Sequence, residues 1–126
     1  MKCYVDKEKR AIKDLSIFKG LAVDTPRKFR NLFLHPQFTL LVFEYEQAKA
    51  FVVFEEYNKG FIFHLVNFTQ MNTRTMTEHF IENHVIPYCK ARGLTFIQAR
   101  SEREGMTRKL VNLGFEAQGD ILRKEV

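Results

Sequence analysis

Tryptophan is absent from this chain of 126 residues, and cysteine (2), proline (3) and glycine (6) are all scarce. Two cysteines are too few for a disulfide framework. Neither Cys3 nor Cys89 has a second Cys or His two to four residues away, so no zinc-type cluster or redox pair is expected and both read as free thiols. Little glycine and proline excludes collagen-like and low-complexity segments. The longest unbroken apolar runs, 40–43 and 50–54, fall far short of the roughly 20 residues that span a bilayer. The N-terminus has no apolar core followed by small residues, so no secretion signal is expected and the cytoplasm is the default compartment. What is present is 45% hydrophobic residues, 13 phenylalanines among them, and 28% charged residues. That balance suits one compact domain over 1–126.

The formal net charge is +5, unevenly spread. Residues 1–35 carry nine basic and four acidic side chains, 36–73 two and four, and 74–126 nine and seven. A basic N-terminal segment suits an anionic partner or a solvated helix surface equally well.

Along the chain, residues 2–5 suit a first strand. Ile12, Leu15 and Phe18 recur at helical spacing over 7–19, with Gly20 as a stop, which predicts one amphipathic helix. Thr25-Pro26 opens a second helix that ends at His35-Pro36. From residue 38 the texture turns β-branched and aromatic, predicting three antiparallel strands over 38–45, 48–55 and 61–68, with a turn at Asn58-Lys59-Gly60. Thr75 and Glu78 form a capping-box pattern before a helix to Arg92, kinked or broken near Pro87. Residues 94–99 predict a strand parallel to 61–68, because a helical crossover separates the two. Ser101 and Glu104 cap a further helix that Gly114 terminates, and 115–126 predict a closing strand or hairpin.

This order, (β)-α-α-β-β-β-α-β-α-β with a last helix ending in Leu113-Gly114-Phe115, resembles the GNAT acetyltransferase superfamily over nearly the whole chain. More loosely it resembles small divergent acetyltransferase-like proteins of tailed bacteriophages, which would place it in the host cytoplasm or the virion. The superfamily resemblance implies a mixed α/β sheet flanked by helices, with acetyl-CoA bound where the fourth strand gives way to the long helix. The family's phosphate loop, Gln/Arg-x-x-Gly-x-Gly/Ala, corresponds here to Gln70, Met71, Asn72, Thr73, Arg74 and Thr75. Thr73 and Thr75 stand where glycine or alanine lets the backbone approach phosphate closely. Capping of the helix by Thr75 and Glu78 explains part of this stretch without any ligand. The resemblance also implies pantetheine contacts along Leu65 and Val66, and aligns Arg103 with an Asn that opens the last helix. Leu110 occupies the place of the tyrosine that protonates the departing thiolate in many members.

A proton acceptor is needed for the attacking amine. His64, in the strand beside the implied cofactor, is the candidate, since imidazole titrates near neutral pH; a hydrogen-bonded structural histidine is the competing reading. Glu55 and Glu56 alternate to opposite faces and neither is distinguished by sequence. His79 and His84, five apart on a helix, do not share a face at α-helical spacing, and no metal is expected. Three functions stay open. The first is N-acetylation of a small-molecule or protein amine. The second is a catalytically degenerate module binding a protein partner, and the third a basic nucleic-acid binder.

Overall fold

The computed structural model describes residues 2–69, 71, 76–101 and 104–126. Its elements run β1 (Lys2–Val5), α1 (Arg10–Lys13), a 3-10 turn (Ser16–Phe18), α2 (Pro26–Phe33), β2 (Phe38–Tyr45), β3 (Ala48–Tyr57), β4 (Gly60–Asn67), α3 (Met76–Phe80), a π turn (Ile81–Val85), α4 (Ile86–Arg92), β5 (Phe96–Arg100), α5 (Glu104–Asn112), β6 (Glu116–Gln118) and β7 (Ile121–Glu125). The strands form one sheet in the order β1-β2-β3-β4-β5-β7-β6. All neighbours are antiparallel except β4 and β5, which are parallel as the helical crossover between them requires.

The near-continuous apolar strands β2 and β3 are buried on both faces over most of their length, and β4 at its two ends. On one face Leu41, Phe43, Val52, Phe54 and Phe61 pack with Phe80, Ile81 and Val85 of the helical crossover and Leu110 of α5. Phe54 and Phe61 stack there with centroids 4.0 Å apart. On the other face Phe38, Leu40, Val42, Phe51 and Val53 pack with Ile12, Ile17, Phe18 and Phe33. The expected helix over 7–19 is not continuous. Asp14 accepts the Ser16 amide at 2.9 Å, a local bond that competes with the helical ladder, and Leu15 adopts φ 66°. Leu113-Gly114-Phe115 is a helix stop with a physical cause. Gly114 takes φ 94°, and the Phe115 amide returns to the Leu110 carbonyl at 3.0 Å, carrying the buried Phe115 ring back onto the core.

Helix α4 is fastened to β3 by Glu56, which accepts from the Tyr88 hydroxyl at 2.7 Å and from the Arg92 guanidinium. Burial pushes the Glu56 carboxyl up, but the bonds from Arg92 and Tyr88 outweigh it and leave it below its ordinary value. A carboxyl lowered in the folded state binds fewer protons there than when unfolded, so its contribution is present at neutral pH and is lost as pH falls below about 4.5. Denaturant midpoints measured from pH 7 to pH 3 are expected to fall less steeply in Glu56→Gln than in the parent chain. Asp6, held low by Arg10 and the Glu8 amide despite its burial, acts with the same sign, so the variant retains part of the slope.

Candidate active site

Strand β4 parts from β5 early. The two pair only through Gly60–Phe96, Phe61–Ile97 and Ile62–Gln98. From Phe63 onward β4 keeps β3 on one side and, among the described residues, has no strand partner on the other, while β5 continues beside β7 to Arg100. The result is a wedge-shaped gap in the sheet, lined by the free edge of β4.

A β-bulge shapes that edge. Phe54 pairs with Phe63 and Val53 with Leu65, so His64 is the extra residue on β4. Bulges re-aim side chains and sharpen local twist. Here the bulge puts His64 on the same face as Leu65, toward α1 and α2, where its ring meets Phe38 edge-on at 4.9 Å. His64 Nε2 lies 2.7 Å from Glu55 Oε1, and both side chains are partly exposed, at 30% and 20%. With the Nε2 proton directed at the carboxylate, Nδ1 is left as the lone-pair nitrogen. Glu55 is thus the acidic partner that the sequence did not single out; it pairs with Ile62, two residues before His64, so the two side chains share a face as diagonal cross-strand neighbours.

Val66 lies on the opposite face, which α3 to α5 cover, and stays 39% exposed beside the gap. Leu65 is half-buried against the α1 side rather than open to the gap. Asn67 ends the strand as a buried anchor. Its Nδ2 donates to the Ile17 and Lys19 carbonyls at 2.6 and 3.0 Å, and its Oδ1 accepts the Thr69 amide at 3.0 Å. These bonds fix the free end of β4 to the 3-10 turn and the residue that follows it. Isolated polar residues of this kind give no sequence signal.

Of the expected phosphate loop, Gln70, Asn72, Thr73, Arg74 and Thr75 lie outside the described residues, as does Arg103. Met71 packs its side chain on the main core, and its amide donates to the Phe68 carbonyl at 2.9 Å. Leu110 is buried, so its position offers no proton donor.

The histidines on the crossover depart from the sequence reading. The π turn over Ile81–Val85, just before Pro87 in the first turn of α4, adds a residue to the helical repeat and brings His79 and His84 together, ring centroids 5.7 Å apart. Both rings pack on Phe43. Burial lowers the proton affinity of His84, as does the neighbouring His79. Among the described residues no group of three or more His, Cys, Asp or Glu is arranged to hold a metal, and no helix is long and apolar enough to cross a membrane.

Solved structures share the overall fold. An acetyltransferase assigned to the GNAT family from Desulfovibrio desulfuricans superposes with a TM-score of 0.71 at 10% identity, covering 98% of each chain. The chain has the GNAT acetyltransferase fold. The PaiA N-acetyltransferase of Thermoplasma acidophilum, solved in complex with coenzyme A, matches the GNAT-fold chain at a TM-score of 0.64 and 10% identity over 100% of both chains. The ribosomal-protein-S18-alanine N-acetyltransferase of Escherichia coli matches it at 0.66 and 12% identity, over 99% of this chain and 94% of that one. No protein-family model matches the sequence, and no curated protein matches it. At such identities the likeness is one of backbone fold.

Proposed function

We propose that this protein is an acetyl-CoA-dependent N-acetyltransferase acting on an amine. The observation that carries the reading is the gap between β4 and β5 with the bulged His64, hydrogen-bonded to Glu55, at its mouth. The chain's own groups fit the cofactor. The free edge of β4 over 63–66 supplies backbone donors and acceptors for the amides of a pantetheine arm, and the exposed Val66 supplies an apolar contact. Gln70, Thr73, Arg74 and Thr75 are the residues proposed to meet the pyrophosphate, with Arg103 as a further phosphate contact. When bound, acetyl-CoA supplies an activated acetyl thioester.

Acetyl transfer forms a C–N bond, breaks the C–S bond, and requires one proton to leave the amine. His64 accepts that proton at Nδ1, and Glu55 orients the ring and offsets the charge it acquires. Leu110 cannot return a proton to the thiolate, so this step falls to solvent. That departure favours the second reading, a degenerate module that binds a protein partner without turnover. The test is release of free thiol from acetyl-CoA over a panel of primary amines. Amine-dependent release that falls at least tenfold in His64→Ala supports the enzyme. Release no faster than hydrolysis across the panel supports the module.

A further inference from the structure

Strand β2 outruns its neighbour at the edge of the sheet. β1 stops at Val5, opposite Leu41, and only the Asp6 amide carries the pairing further, to the Leu40 carbonyl at 3.0 Å. The N–H and C=O of one strand residue point to the same side and alternate along the strand, so the Leu40 amide and the Phe38 carbonyl face that side too. Among the described residues no strand lies there to meet them. The chain instead turns away, the Lys9 amide donating to the Asp6 carbonyl at 3.1 Å with Lys9 at φ 54°. A cavity of about 410 Å³ opens along this edge, with Val5, Leu34, Pro36 and Thr39 in its wall and Lys7 and Lys13 among its charged residues.

The charges around this cavity are not equivalent. Asp6 accepts from the Arg10 guanidinium at 3.3 Å and from the Glu8 amide at 3.1 Å, and the Glu8 carboxylate stands 3.9 Å from the same guanidinium. Lys9 donates its Nζ to the Phe33 and His35 carbonyls at the C-terminal end of α2, at 2.8 Å each, a favourable place for a cation. Lys7 and Lys13 are exposed, and their ammonium groups have no partner among the described residues. The surplus charge is therefore positive, and it borders apolar surface: Val5 is 39% exposed and Leu34 37%.

From this arrangement we infer that the open edge of β2 receives an extended acidic segment of a partner protein, paired as an added strand. The three features call for one occupant. Backbone groups left open on a strand edge are met by another extended backbone. Carboxylates on that segment meet Lys7 and Lys13, and an apolar side chain between them packs against Val5 and Leu34. A second copy of this chain would bring the same lysines and a net charge of +5 to the edge, and edge lysines disfavour such self-pairing. The surface lies two strands away from β4 and does not depend on acetyl transfer.

The test pans a random heptapeptide library over the full chain and titrates the enriched peptides calorimetrically. Peptides in which Asp or Glu alternates with apolar residues are expected. They should bind at least fivefold more weakly when Lys7→Gln and Lys13→Gln are combined, both exposed changes that break no contact. Arg27→Gln with Lys28→Gln, an equal change of net charge on exposed positions of α2 outside the cavity, should leave the affinity as it was. Hydrogen exchange at the Leu40 amide should slow at least tenfold in the complex. No enrichment, enrichment without acidic residues, or an affinity lowered equally by both double variants overturns the proposal. Unchanged exchange at Leu40 also overturns it, since the contact would then be one of charge without strand pairing. Self-association of the parent chain that Lys7→Gln with Lys13→Gln abolishes, with no peptide enriched, assigns the edge to a second copy and overturns it equally.

Discussion

Replacing His64 by alanine is expected to lower kcat/KM for amine acetylation by about 10²–10⁴-fold, the range for loss of a positioned general base. The loss should fall on kcat, because His64 handles the proton rather than holding the body of either substrate. Its ring is partly exposed and packs edge-on against one phenylalanine, so thermal stability should change little. Added imidazole should restore part of the rate in the alanine variant. Glu55→Gln keeps a hydrogen-bond acceptor for Nε2 but removes the charge that offsets an imidazolium, so an intermediate loss of about tenfold is expected. A rate unchanged in His64→Ala would show that water, not the ring, carries the proton.

Gly60→Ala is expected to produce the largest loss of stability of any single-methyl addition in the sheet. A Cβ at this position would stand 2.2 Å from the tip of the Phe96 ring, over which the Arg123 guanidinium packs at 3.8 Å, so the ring and its packing partner must both shift. Overpacking of this kind costs about 2–3 kcal/mol, which for a chain of this size lowers Tm by roughly 5–15 °C. The consequence reaches the active site, because Gly60–Phe96 is one of only three residue pairs joining β4 to β5. Relaxation there would widen the gap and weaken cofactor binding. Combining Gly60→Ala with Phe96→Leu should recover part of the loss by vacating the ring's space. A Gly60→Ala variant as stable as the parent in thermal unfolding would contradict this account of the junction.

Much of the architecture is legible in the sequence because its signals are local and periodic. The aromatic and β-branched runs over 38–45 and 61–68, the turn at Asn58-Lys59-Gly60 and the stop at Leu113-Gly114-Phe115 each declare themselves within a few residues. The parallel β4–β5 pairing follows from the length of the crossover. The features that escaped are those where a local bond competes with the periodic one. Asp14 breaks the helix expected over 7–19 by capturing the Ser16 amide. The π turn shifts His79 and His84 into contact although their spacing is wrong for an α-helix. His64 was visible as a candidate, but its partnership with Glu55 was not. The cross-strand register that pairs Glu55 with Ile62, and so sets His64 diagonally beside it, depends on how the two strands meet and is not written within either one. Asn67, a single buried amide tying β4 to the 3-10 turn and the residue after it, carries no pattern at all.

The central claim is that the gap beyond Ile62 and Gln98 receives a coenzyme A thioester. Calorimetric titration of the chain with coenzyme A tests it most directly, alongside Val66→Trp, which fills the gap from its exposed side without touching His64 or Glu55. The account predicts micromolar binding, a matching rise in Tm, and loss of both in Val66→Trp. No heat and no thermal stabilisation at millimolar coenzyme A, or binding unchanged by Val66→Trp, would contradict it.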